Sequence, residues 1–170
     1  MEIKSFEELF KNINESLESP IEVNWIKTNH WVGNFNTDKN NYRIVISNEM
    51  NDIWKFKYFL KSNRGLSVKM TKLNYDVWKV LSTIYKSVYD FIDEVNPNGI
   101  IFGTDNDSPT RVKFYSTFSD KCSKKYNYKK YEKSFGEEEV NPTIYVLYRE
   151  LTADELYKII EKVTNDELGL

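Results

Sequence analysis

One cysteine, Cys122, and one histidine, His30, stand in a chain of 170 residues. A lone thiol excludes an internal disulfide and any zinc site built from several cysteines. A lone imidazole with no cysteine or serine at motif spacing leaves no nucleophile and base pair to read, so His30 is expected to be a structural strand residue and Cys122 a small helix residue. Glycine and proline are sparse, at 6 and 4 residues, and no glycine-rich phosphate loop is present. No run of roughly eighteen apolar residues occurs, so nothing reads as a membrane-spanning helix. The N-terminal MEIKSFEELF is acidic and has no signal-peptide run, which sets the cytoplasm as the expected location, the host cytoplasm if the protein is viral. Neither sign of charge dominates: Lys and Arg number 24 and Asp and Glu 26, a net charge of −2. Bulk charge therefore argues against a dedicated nucleic-acid protein.

Large aromatic side chains are plentiful instead, with 4 Trp, 12 Tyr and 10 Phe. A chain of this length forms one ordinary core without staples, and a single α+β domain over residues 1–170 is expected. Ser5 and Glu8 form a capping box ahead of Phe6, Leu9, Phe10, Ile13 and Leu17, which recur on one helical face until Pro20. From Ile21 the period becomes two, through Val23 and Trp25, then Trp31 to Phe35, Tyr42 to Ile46, Trp54 to Leu60, and Leu66 to Met70. Turn formers separate these runs, so they predict an antiparallel meander with one wet face. Asn74 caps the expected main core helix, whose Val77, Leu81, Ile84, Val88, Phe91, Ile92 and Val95 keep the 3.6-residue period.

Asn96-Pro97-Asn98-Gly99 stops that helix, and Ile100 to Phe102 is short and apolar enough to be a buried strand. A polar turn follows, and Ser108-Pro109 signals a further helix running to about Lys124. Strand, loop and helix in that order form a common ligand site, because the helix's first N–H groups point above the strand end. Arg111 stands one turn into the helix, where its planar fork suits a phosphate or carboxylate. Asp105 and Asp107 do not make a calcium loop, which needs a glycine at its sixth position and a glutamate at its twelfth. Strands at Tyr128 to Ser134 and Thr143 to Arg149 follow, and a Thr152 to Glu155 capping box opens a last helix. The sum is an antiparallel meander and mixed sheet with about four helices.

Ser108, Arg111, Phe114 and Tyr115 fall at the spacings of N-x-x-A-x-x-L-Y, and the second half resembles the C-terminal half of the GNAT acyltransferase fold. Pro97, Ile100, Phe102, Arg111, Lys113 and Tyr115 also resemble the P-x-x-I-x-F strand and R-x-K-x-Y helix of small tailed-phage proteins. The GNAT resemblance implies an acyl-CoA-dependent N-acyltransferase in which Tyr115 is the catalytic general acid. That chemistry requires an R/Q-x-x-G-x-G/A loop ahead of the core helix to cradle a pyrophosphate. The corresponding VKMTKLNYD, residues 68–76, holds no glycine and brings in Asp76. The expectation is therefore a GNAT-like scaffold without a cofactor or metal, acetyl-CoA entering only if the protein is a transferase.

Charge is segregated along the chain. Lys55, Lys57 and Lys61 share one face of an expected strand with Phe59, while the basic cluster from Arg111 to Lys133 is interleaved with Tyr126, Tyr128 and Tyr131. Such a pattern can hold phosphates and stack bases, and it can equally keep a sheet edge from pairing with other chains. The leading expectation is a non-catalytic phage or mobile-element protein that binds a host or viral macromolecule through Ser108, Arg111, Lys113, Lys55, Lys57, Lys61 and Tyr128. The alternatives are the acyltransferase and a single-stranded nucleic-acid binding protein.

Overall fold

The computed structural model describes residues 20–62, 65–67, 77–105, 109–135 and 142–168. These residues gather into two compact units: Met1–Ser47 with Phe56–Asn96, and Asn48–Lys55 with Pro97–Leu170. The class is α+β, as the two periods of the sequence imply. The helix expected around residues 6–17 and the Asn74 cap lie outside the described residues, which hold three helices. None of these is long and apolar enough to cross a membrane.

The first unit is built on strands β1 (Asn24–Lys27), β2 (His30–Asn36) and β3 (Asn41–Met50), the last of which ends in the second unit. β1 pairs antiparallel with β2, and β2 with β3, with Trp31 opposite Ile46 and Phe35 opposite Tyr42. β4 (Ile53–Ser62) passes from the second unit into the first, where β5 (Gly65–Ser67) pairs with it antiparallel. The meander expected from the alternation is thus present. Burial alternates residue by residue along β2, with Trp31, Gly33 and Phe35 inward. It does the same along β3, with Tyr42, Ile44 and Ile46 inward.

Helix α1 (Val77–Val95) belongs to this unit and buries Val80, Ile84, Val88, Phe91 and Ile92. The Phe91 ring meets Trp31 edge to face at 5.0 Å. Thr83 and Ser87 are buried with them, and their hydroxyls donate to the carbonyls one turn back, which satisfies groups that would otherwise be costly to bury. At the helix end Asn96 takes a left-handed φ of 50° and donates its N–H to Ile92 O at 2.8 Å, a single-bond C-cap.

In the second unit, Ile53–Lys55 of β4 pair parallel with β6 (Gly99–Asp105), which pairs antiparallel with β8 (Pro142–Tyr148) along its whole length. β7 (Lys129–Ser134) closes the order β4-β6-β8-β7 by pairing antiparallel with β8. β6 is longer than the expected Ile100–Phe102 because β8 offers it seven partners. Gly99–Phe102 of β6 and Thr143–Leu147 of β8 are buried on both faces. Ile101, Ile144 and Val146 pack with Ile53 against Ile159, Ile160 and Val163 of helix α3 (Ala153–Leu168). Phe102 and Tyr145 stack at 5.2 Å on the other face, where Phe118 of helix α2 (Pro109–Tyr126) lies 5.7 Å from Phe102. The capping box that opens α3 forms as expected, with Glu155 N donating to Thr152 Oγ1 at 3.2 Å and Thr152 N to Glu155 Oε2 at 2.8 Å.

Gly99 shows how closely β6 and β8 are fitted. A methyl group there would stand 2.1 Å from the Leu147 carbonyl oxygen, whereas at Gly103 the nearest atom is 3.4 Å away. Gly99→Ala is expected to destabilise the protein by roughly 2 kcal/mol or more, as overpacking against backbone does. Gly103→Ala should stay within about 1 kcal/mol of the parent. Denaturant midpoints of the two variants check the contrast.

Candidate functional site

One corner of the second unit is assembled from three chain reversals. β3 and β4 are joined through Asn51 and Asp52, whose φ angles of 54° and 56° are those of a two-residue hairpin turn. Asp52 Oδ2 accepts the Asn98 N–H at 2.9 Å, and Oδ1 accepts Trp54 Nε1–H at 2.8 Å. Asn98 then bridges the turn to the end of β8. Its Nδ2 donates to Asn51 O at 3.1 Å and Glu150 O at 2.8 Å, while its Oδ1 accepts from Glu150 N at 3.0 Å. The third reversal ends α2. Asn127 is left-handed at φ 57°, and Tyr128 N donates back to Ser123 O at 3.0 Å, the six-to-one bond of a Schellman cap.

Tyr128 is buried by this turn, and its hydroxyl donates to Pro97 O at 2.9 Å. The Arg149 guanidinium lies 4.8 Å from the Tyr128 ring centre, and its Nη1 donates to the same carbonyl at 3.3 Å. Burial pushes the Tyr128 phenol up to about 12, with Arg149 pulling weakly the other way, so it is a neutral donor at ordinary pH. A cavity of about 370 Å³ opens beside this pair, lined by Asn127, Tyr128, Lys129, Arg149 and Glu150.

A second cluster in the same unit joins β3, β4 and α3. Lys55 Nζ lies 2.9 Å from Glu49 and 3.5 Å from Asp166, and Lys162 Nζ lies 2.8 Å from the other Glu49 oxygen. The Glu49 side chain is only 6% exposed. Burial alone would raise its pKa, but hydrogen bonds from Lys162 and Lys55 outweigh burial and hold it below the usual carboxylate value. Lys130 on β7 is similarly engaged, at 2.9 Å from Asp120 and 3.1 Å from Glu132, which ties α2 to the strand.

The residues singled out from sequence do not converge. Lys55 sits in the Glu49 cluster of the second unit and would have to leave two carboxylates to hold a phosphate. Lys57 and Lys61 belong to the first unit, both half-buried, with Lys61 Nζ 3.4 Å from Asn34 Oδ1. Tyr115 is buried, its ring 5.8 Å from Phe102 and 6.4 Å from Tyr145. Ser108 lies outside the described residues, and Arg111 and Lys113 are placed only by their backbone, on the first turns of α2. Tyr128 is the one that lines the cavity. Cys122 is fully buried, with its thiol pushed up to about 12 by burial, so it is an inert helix residue as expected. His30 is exposed at the start of β2.

Arg149, Asn98 and Glu49 were not legible as site residues. Asn98 carried only the turn signal of its NPNG surroundings, and Arg149 only its position at a strand end. Glu49 carried no signal, since the two lysines it meets, Lys55 and Lys162, are six and more than a hundred residues away.

The geometry so described is that of an α+β protein with a mixed sheet. No protein-family model matches the chain, and no curated protein matches it. Among solved structures the chain is similar to an acetyltransferase of Bacillus subtilis in complex with CoA, at 12% identity and a TM-score of 0.40, over 83% of this chain and 84% of that one.

The Glu49 cluster gives a test of sign. A carboxylate whose folded pKa is depressed contributes stability above its unfolded value, and that stability is lost as pH falls through the folded pKa. Stability is therefore expected to decline below about pH 4.5, the ordinary value for this group. Glu49→Gln should cost about 1.5–3 kcal/mol at pH 7, the range for losing hydrogen bonds to charged partners. It should also flatten the acid limb measured by urea unfolding across pH 3 to 7; a parallel limb in the variant would refute the assignment.

Proposed function

We propose that the protein is non-catalytic, of phage or mobile-element type, and acts in the cytoplasm by binding a host or viral macromolecule. The burial of Tyr115 carries this reading. A general acid has to bring its hydroxyl to roughly 3 Å from the atom it protonates. Tyr115 instead belongs to the aromatic layer between α2 and the β6–β8 ladder, with Phe102, Phe118 and Tyr145. The glycine-free residues 68–76 point the same way, because a pyrophosphate cradle needs close backbone approach.

A specific observation favours single-stranded nucleic acid as the partner class. Lys124, Lys125, Lys129 and Lys133 are all exposed, on the last turn of α2 and on β7, the last strand in the order β4-β6-β8-β7. Lysines so placed release counterions when they meet phosphates, which makes binding fall steeply with salt.

Titration with acetyl-CoA while following thermal unfolding tests the reading. Neither the parent nor Tyr115→Phe is expected to shift in Tm at millimolar acetyl-CoA, while Tyr115→Ala should lose about 3–5 kcal/mol as a core aromatic. A saturable rise in Tm accompanied by acetyl transfer that Tyr115→Phe abolishes would overturn it. For the nucleic-acid partner, a labelled single strand should be retarded at low salt and released as salt rises, and more readily from Lys129→Gln/Lys133→Gln; a flat salt response excludes that partner.

A further inference from the structure

Arg149 spends little of its hydrogen-bonding capacity on the protein. Among the described residues its side chain makes one hydrogen bond, from Nη1 to Pro97 O at 3.3 Å. A guanidinium carries five N–H donors in a rigid fork, so most of them remain for another acceptor. Pro97 O cannot take more, since it already accepts the Tyr128 hydroxyl at 2.9 Å as well. The Tyr128 ring centre lies 4.8 Å from the guanidinium carbon, within cation–π range, so this neighbour holds the group without consuming an N–H donor.

The cavity that Arg149 lines holds a second cation, Lys129, and one carboxylate, Glu150. Among the described residues neither Arg149 nor Glu150 forms a salt bridge, and the two cations outnumber the single carboxylate on the cavity wall. The walls are already fixed: Asn98 ties down the backbone of Glu150 on both sides, and the Schellman cap sets Asn127 and Tyr128. A preformed wall lowers the ordering cost that a ligand would otherwise meet.

We infer that this cavity binds the phosphate group of a ligand of mononucleotide size. The fork of Arg149 matches two phosphate oxygens, and Lys129 adds the second positive charge that a phosphate monoester dianion favours over a carboxylate. A volume of about 370 Å³ exceeds a bare phosphate and falls at the small end of the range of ligand pockets, which is roughly 300–1,000 Å³. The inference uses neither Tyr115 nor Lys133 and shares only Lys129 with the nucleic-acid reading, so the response of Arg149 and Glu150 variants to small phosphates tells the two apart.

Amide chemical shifts of the full-length protein, followed during titration with inorganic phosphate, a nucleoside 5′-monophosphate and O-phosphotyrosine, test it. The amides of Asn127, Lys129, Arg149 and Glu150 should move together, and at least one of the two phosphate esters should bind more tightly than inorganic phosphate. The tighter ester identifies the source of the phosphate, free nucleotide or modified side chain. Arg149→Lys, which keeps the charge and loses the fork, should weaken binding roughly tenfold. Glu150→Gln removes the carboxylate beside the site and should tighten binding several-fold, a gain that misfolding cannot produce. The inference fails if all three probes leave those amides unmoved at millimolar concentration, or if both variants bind as the parent does.

Discussion

The ladder between β6 and β8 is the constraint on which the second unit depends. Seven residue pairs run from Gly99 opposite Tyr148 to Asp105 opposite Pro142. Ile100, Ile101 and Phe102 on one strand and Ile144 to Leu147 on the other are buried whichever face they point to. A strand pair apolar on both faces is stable only when each face is covered. α3 supplies one cover through Ile159, Ile160 and Val163, and α2 the other through Tyr115 and Phe118. Tyr115 is drawn into that cover, its ring set beside Phe102 and Tyr145.

Closing the ends of such a ladder requires sharp reversals, and a chain with 6 glycines makes them largely with asparagine. Asn51, Asn96 and Asn127 all take the left-handed conformation, joined by Asp52. Asparagine tolerates that region because its short polar side chain can bond locally where a bulkier residue would clash. Asn98 adds a different service, three side-chain hydrogen bonds to backbone on either side of it. The corner is rigid for these reasons, and Arg149 inherits a fixed position from it.

Charge tells a similar story. Lys55 follows no acidic neighbour within its own strand, yet it rests between Glu49 and Asp166. Lys130 rests between Asp120 and Glu132. Lys124 and Lys125 at the end of α2 and Lys129 and Lys133 on β7 stay exposed, as do Lys27, Lys39, Lys79, Lys86, Lys158 and Lys162 elsewhere among the described residues.

By itself the sequence determined which of the described segments are strands and which are helices, the Thr152–Glu155 cap, the stop at Asn96, and the α+β class. These follow from backbone periods and hydrogen bonds that close within a few residues. Only the tertiary structure decided that Tyr115 is buried, that Glu49 collects two lysines, and that Arg149 lies over Tyr128 beside Pro97, 52 residues earlier. Contacts of that kind depend on which strands become neighbours, and a local pattern carries no record of its partner across the sheet.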